Sequence, residues 1–279
     1  MDSKKKFYEF KNITSKAADL FLYGEIVEDD VDWWTGEKDP SLVGLLSFKQ
    51  ELDNIGNVKN LNIYINSPGG DVFTASTMIS MLQRKKDKGT TINAYVDGLS
   101  ASAASFLMMV ADNVNLYRNS TVMIHKPMSI AIGNANDMQK TIDALNKIED
   151  SVMLPMYMDK ALATEEEIKN LINEETWLSA SDMSKYFNVN ILNEEKVAVA
   201  SIKSNLFKNY KNVPDYIKES LNSIEDKEIE ENIDEKEHIS NENAFFIEKN
   251  EEKEQEIKAK LNLIKGSLVL KNIMLKEGD

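Results

Sequence analysis

The chain has 279 residues, with 47 acidic against 33 basic side chains and a formal net charge of −14; it contains no cysteine and two histidines, His125 and His238. Cysteine proteases, thiol redox enzymes, iron–sulfur clusters and cysteine–zinc sites are therefore excluded, and any imidazole mechanism has two candidates. The acidic balance disfavours nucleic acid as a partner, because phosphate contacts need clustered Lys and Arg. The basic start MDSKKKFYEF lacks the apolar stretch of a secretory signal, and no apolar run approaches the roughly 20 residues of a membrane span. The expectation is a cytoplasmic protein with no membrane partner.

In chain order, "LFLYGEI" (20–26) reads as a buried strand and "DDVDWWTGEKDP" (29–40) as an acidic, aromatic loop. "PSLVGLLSFKQEL" has helical spacing, and "LNIYI" is a strand with Leu61, Ile63 and Ile65 on one face. The turn "NSPGGD" follows, and Asp71 is placed to cap a helix that Gly89 ends. "TINAYV" (91–96) is the next strand, "DGLSASAASFLMMVAD" (97–112) a turn and helix, and "STVMIH" (120–125) a further strand. Two successive strand–glycine turn–helix units signal right-handed crossovers in a parallel sheet. Residues 137–160 have the period of one long amphipathic helix, with Met138, Ile142, Leu145, Ile148 and Val152 on one side. "TEEEIKNLI" opens with a capping box, Thr164 and Glu167, and "ETWLSASDMSKYF" adds a strand edge and a short helix.

The composition changes near residue 204. The expected organisation is a domain over 1–204 and an acidic extension over 205–279, helical in part or disordered, with an amphipathic stripe at Ile257, Leu261, Ile264 and Leu268.

Three features fall where an open parallel sheet places its sites, beyond the carboxyl ends of strands: the Gly69–Gly70 turn, the Gly98–Ser105 segment and the end of "STVMIH". Ser100, Ser102 and Ser105 stand among alanines, which suits either close helix packing or a nucleophile beside backbone N–H groups. A serine needs a positioned imidazole to take its proton, and His125 is the histidine within the expected domain. "GLSAS" is not the G-x-S-x-G elbow and "NSPGGD" is not a P-loop. From spacing alone, packing and catalysis both stand.

"YINSPGGDV", "GLSASAAS" and "VMIHKP", in that order and spacing, resemble the proteolytic subunit of the Clp protease family, over about Leu20 to Val197. The narrower likeness, carried by "FYEFKN…LFLYGEI", the "WW" loop, "GDVFTAS" and "ASAAS", is to the ClpP-related prohead proteases of tailed phages. The resemblance implies an α/β ClpP/crotonase-like superfold of repeated β-β-α units and a serine endopeptidase with no metal or organic cofactor. It further implies homo-oligomeric rings with the 137–172 helical region as ring contact, and a protein or peptide substrate. For the phage relatives that substrate is scaffold, portal or capsid protein, cleaved without ATP in the host cytoplasm or inside a procapsid. Carried over by residue, the nucleophile falls on Ser102, the base on His125 and the oxyanion hole on the N–H groups of Gly70 and Ala103. On this reading the Gly69–Gly70 turn is bare so that the scissile carbonyl can approach it. Substrate backbone is expected along Gly69, Asp71, Val72 and Met128. The third member falls on Asn190, which would orient the imidazole without supplying a negative charge; Asp182 is read as a helix cap.

Overall fold

The computed structural model describes residues 8–14, 16–31, 37, 39, 41–194, 204–219 and 221. Its centre is a parallel ladder. Strands β2 (Ala17–Tyr23), β5 (Asn60–Ser67), β6 (Thr91–Ala101), β7 (Asn113–Tyr117) and β10 (Asn190–Leu192) pair in that order, and β1 (Tyr8–Lys11) adds antiparallel to β2. The alternation expected over Leu61, Ile63 and Ile65 is borne out, all three being buried. A second sheet pairs β3 (Glu25–Val27) with β4 (Leu42–Gly44). The run predicted as one strand over 20–26 is thus two, broken at Gly24. There φ is +122°, and an added Cβ would lie 2.1 Å from the Ser41 carbonyl oxygen. The helix expected from Pro40 also starts later, since residues 42–44 pair with β3 before α1 (Leu45–Asn54) begins.

β6 decides where the site lies. Its first half pairs with β7, and its second half leaves that neighbour to pair with β8 (Thr121–Ile124), which carries β9 (Thr176–Ser179) antiparallel on its other side. The split coincides with a bulge between β5 and β6, where pairing jumps from Ile65↔Val96 to Ser67↔Ser100. The Asn66 side chain fills this bulge, its Oδ1 accepting from the Leu99 N–H at 3.0 Å. Residues 97–101, expected as a turn, therefore continue the strand, and the helix that follows, α3, is short (Ala103–Leu107). Sequence reading omits β7 because Asn113 and Asn115 interrupt its apolar pattern; Asn115 is buried with its Nδ2 donating to the Ala94 carbonyl.

Helix α2 (Val72–Lys86) starts as expected, with Asp71 Oδ1 accepting from the Thr74 N–H at 2.6 Å. The long helix over 137–160 is three pieces. α4 (Ala135–Ile148) passes through a π turn (Glu149–Met153) into α5 (Leu154–Met158). Pro155 cannot donate to the carbonyl one turn back, so the ladder loosens there. No residue of α4 is buried, and Met138 and Ile142 are about half exposed, so of its apolar stripe only Ile148 at the far end packs against the core. Its far end is tethered by Lys126 to the buried Glu149, Nζ to Oε2 at 2.7 Å. The capping box at α6 (Glu165–Asn173) forms as expected, and α7 (Ala180–Tyr186) has one too, Ser179 accepting the Asp182 N–H and the Asp182 carboxylate accepting the Ser179 N–H.

The expected boundary at residue 204 is corrected. The compact unit runs to Leu221. A 3₁₀ turn (Asn205–Asn209) and the residues after it lay Phe207, Tyr210 and Val213 on Leu99, Ala101 and Met123, forming a second apolar cluster. These side chains fill the back of β6 and β8, which is why the segment stays with the domain despite the polar residues between them. The stripe at 257–268, His238, Trp33 and Trp34 lie outside the described residues. Replacing Phe207 by Ala should lower the urea-unfolding free energy of the full chain by about 3 kcal/mol, the low end for a buried Phe. A change below about 0.5 kcal/mol, as for surface substitutions, would show that the segment does not share the domain's stability.

Candidate active site

Three neighbouring strands end at one edge, and each delivers one part. β5 leads into the Pro68–Gly70 turn, β6 into Ser102 and β8 into His125. Ser102 sits at φ +50°, ψ −123°, a conformation that a residue with a Cβ adopts only under constraint. The constraint is visible: the Ser102 N–H donates to the Met123 carbonyl at 3.0 Å, and the Ser102 carbonyl accepts from both the N–H (2.9 Å) and the Oγ (2.6 Å) of Ser105. The Ser105 hydroxyl also meets the buried Tyr157 hydroxyl at 2.6 Å. Although "GLSAS" lacks the sequence form of a nucleophile elbow, its backbone makes the same strand-to-helix turn. Ser100 points into the protein and is fully buried, with no hydrogen-bond partner for its Oγ. Ser100 and Ser105 are thus packing and helix-start residues, as expected.

Ser102 Oγ lies 2.7 Å from His125 Nε2. Burial pushes the His125 pKa down to about 4; the Glu175 carboxylate opposes this shift and Lys211 adds slightly to it. At neutral pH the ring is therefore uncharged and can accept the Ser102 proton at Nε2, provided Nδ1 carries the ring hydrogen.

The carboxylate whose charge reaches His125 is that of Glu175, and Asn190 lies elsewhere. Asn190 is exposed on β10, against β7, and its Nδ2 donates to Asn115 Oδ1 at 3.2 Å. β7 and β8 lie on separate branches of β6, so no register of β10 brings Asn190 beside His125. In the antiparallel β8–β9 ladder Ile124 faces Thr176; one step further along, Glu175 comes opposite His125. Glu175 is buried and holds φ +48°, rare for a residue with a side chain. Sequence reasoning missed it although it begins the quoted "ETWLSASD". The signal was a carboxylate immediately before a strand antiparallel to the histidine's strand.

Gly70 is joined to Ile26 through the carbonyl of Gly69 and the N–H of Asp71, which bond the Ile26 N–H and carbonyl at 2.7 and 2.8 Å. That bridge does not use the Gly70 N–H, which stays available for an oxyanion, as does the Ala103 N–H at the first position of α3. The glycines themselves answer to a different need from the one expected. A Cβ on Gly69 would come within 2.6 Å of Ser102 Cβ, and one on Gly70 within 2.0 Å of the Ile26 carbonyl. Side chains are excluded by the chain's own packing, with φ at +100° and +143°, before any substrate arrives.

A cleft of about 740 Å³ runs from this turn. Asp71, Val72 and Met128 line it together with Ser102 and His125, and Ile148 and Leu145 close it from the α4 side. Gly69 does not line it, because it packs behind Ser102. Leu206, Asn209 and Tyr210 form one end, a contribution from beyond residue 204 that composition did not signal.

Residues 41–194, over half of the chain, match the Clp protease family. Among curated proteins the chain is similar to the ATP-dependent Clp protease proteolytic subunits of Bacteroides fragilis ATCC 25285 and YCH46, each 28% identical over 137 residues. Those residues are 48% of this chain and 64% and 60% of the relatives. The corresponding subunit of Bacteroides thetaiotaomicron is 27% identical over 137 residues, 48% of this chain and 60% of its own length. The chain thus spans less than two thirds of each of these relatives. With the family matched from β4 to the end of β10, across the whole Ser102–His125 edge, this chain belongs to the Clp protease family.

Proposed function

We propose that the chain is a serine endopeptidase acting through an acyl-enzyme on Ser102. The observation that carries this is the 2.7 Å contact between Ser102 Oγ and a buried His125. Ser102 Oγ attacks the scissile carbonyl as its proton passes to His125 Nε2, and the carbonyl oxygen, now negative, is held by the N–H groups of Gly70 and Ala103. One such donor is worth about 3 kcal/mol in the transition state. As the C–N bond breaks, His125 returns the proton to the departing amine, and water then repeats the sequence to release the acyl group. Glu175 supplies the negative charge that steadies the imidazolium in between. Substrate backbone lies along Asp71, Val72 and Met128, adding a strand beside the site.

We further propose homo-oligomeric rings, supported by the exposed Ile130, Ile132, Met138 and Ile142 around the cleft and α4. The likeness of "GDVFTAS" and "ASAAS" to prohead proteases supports cleavage of scaffold, portal or capsid protein in the host cytoplasm or procapsid, without ATP. The rival comes from the curated relatives, which are named as ATP-dependent subunits; isolation of this chain with a ring ATPase would favour it.

A fluorophosphonate probe should label Ser102 in the full chain. Labelling should be lost in Ser102→Ala and kept in Ser100→Ala, as read by peptide mapping; an unlabelled, folded protein would overturn the reading. The pH profile gives a second test. Because the folded pKa of His125 is lowered to about 4, the base stays neutral as pH falls until that value. At pH 5 roughly nine-tenths of it remains neutral, against about 3% for an ordinary histidine. Labelling should therefore keep most of its rate at pH 5, and a midpoint near about 6.5 would contradict the buried base.

A further inference from the structure

We propose that residues 204–212, which lie outside the family-matched segment, form a strap that positions Glu175 and through it His125. The inference rests on the serine-peptidase reading above. The strap touches each part of the site. Ser204 Oγ donates to Glu25 Oε2 at 2.7 Å, fixing its start beside β3. The Tyr210 hydroxyl donates to the Pro68 carbonyl at 2.6 Å, on the turn that carries the oxyanion donor. The Tyr210 ring stands edge-on to the His125 ring, centroids 5.3 Å apart.

The decisive contacts come next. The backbone N–H groups of Lys211 and Asn212 both donate to Glu175 Oε1, at 2.6 and 2.7 Å. The Asn212 side chain adds donations to the carbonyls of Glu174 and Glu175, at 2.9 and 3.3 Å. A glutamate has one more rotatable bond than an aspartate, and Glu175 also carries a strained backbone. Two charge-assisted bonds to one oxygen remove that freedom and leave Oε2 as the acceptor that can face Nδ1–H. The Clp protease match ends at residue 194, so the chain supplies this support from sequence beyond the family core. Leu206, Asn209 and Tyr210 also line the cleft, so the opposing reading is a plug that must leave before substrate binds.

The test compares full-chain variants by fluorophosphonate labelling, separating the half-saturating probe concentration from the maximal rate. Lys211→Pro deletes one N–H to Glu175, and Tyr210, at φ −83° and ψ 138°, already has the backbone that a following proline requires. Lys211→Ala is its reference, since both lose the ammonium. Lys211→Pro should label about tenfold more slowly than Lys211→Ala at saturation, with the half-saturating concentration unchanged. In a Glu175→Gln background the same change should cost little more, because the strap acts through that carboxylate. If the proline variant does not fold, Asn212→Ala, which removes the side-chain donations to the Glu174 and Glu175 carbonyls, should slow labelling at saturation in the same direction. Faster labelling of Lys211→Pro would show a plug, and losses that multiply with Glu175→Gln would show mere structural support; either overturns the proposal. Failure of the unmodified chain to label would instead defeat the peptidase reading.

Discussion

The backbone of Ser102 is held at φ +50°, a conformation costing on the order of 1–3 kcal/mol, and the rest of the site is arranged around keeping it there. Met123 on β8 takes the Ser102 N–H, and Ser105 holds the Ser102 carbonyl with two donors. Gly69 is bare because Ser102 Cβ occupies the space a side chain would need. Here the turn forms where a strand ends between two others. β6 provides that by switching partners from β7 to β8 at its bulge. The same switch brings His125, at the end of β8, alongside the serine.

The electrostatics follow from burial. An imidazole inside apolar surroundings stays neutral, which makes it an available base but raises the cost of the imidazolium that catalysis creates. A nearby carboxylate offsets that cost. The charge of Glu175, one residue beyond the β8–β9 ladder, reaches His125, and Glu175 is itself anchored by backbone donors. A carboxamide at this point would orient the ring without the charge. On the proposed reading the third member is therefore a carboxylate, Glu175, and not the carboxamide of Asn190.

Sequence pattern makes the parallel ladder legible because β2, β5 and the first half of β6 carry alternating apolar residues, with β2 and β5 ending just before glycine turns. His125 is legible because it closes an apolar strand, whereas the choice of Ser102 over Ser100 and Ser105 comes from the family resemblance and not from spacing. Glu175 is not legible, since its role depends on pairing between segments some fifty residues apart, and a carboxylate among Asn173, Glu174 and Glu175 looks like a helix end. Tyr210 is hidden in the same way. "LFKNYKNV" reads as polar linker, and its three buried side chains become a surface only when β6 and β8 lie beside each other. Asn190 misleads because matching a segment to the family's pattern says nothing about which branch of the sheet the strand after α7 joins.

The most direct measurement is a crystal structure of the full chain after reaction with a fluorophosphonate. Phosphorus should be bonded to Ser102 Oγ, with the phosphonyl oxygen about 2.7–3.1 Å from the nitrogens of both Gly70 and Ala103. His125 Nδ1 should be turned to Glu175. A phosphonyl oxygen facing solvent away from both N–H groups, or Asn190 brought against His125, would contradict this arrangement.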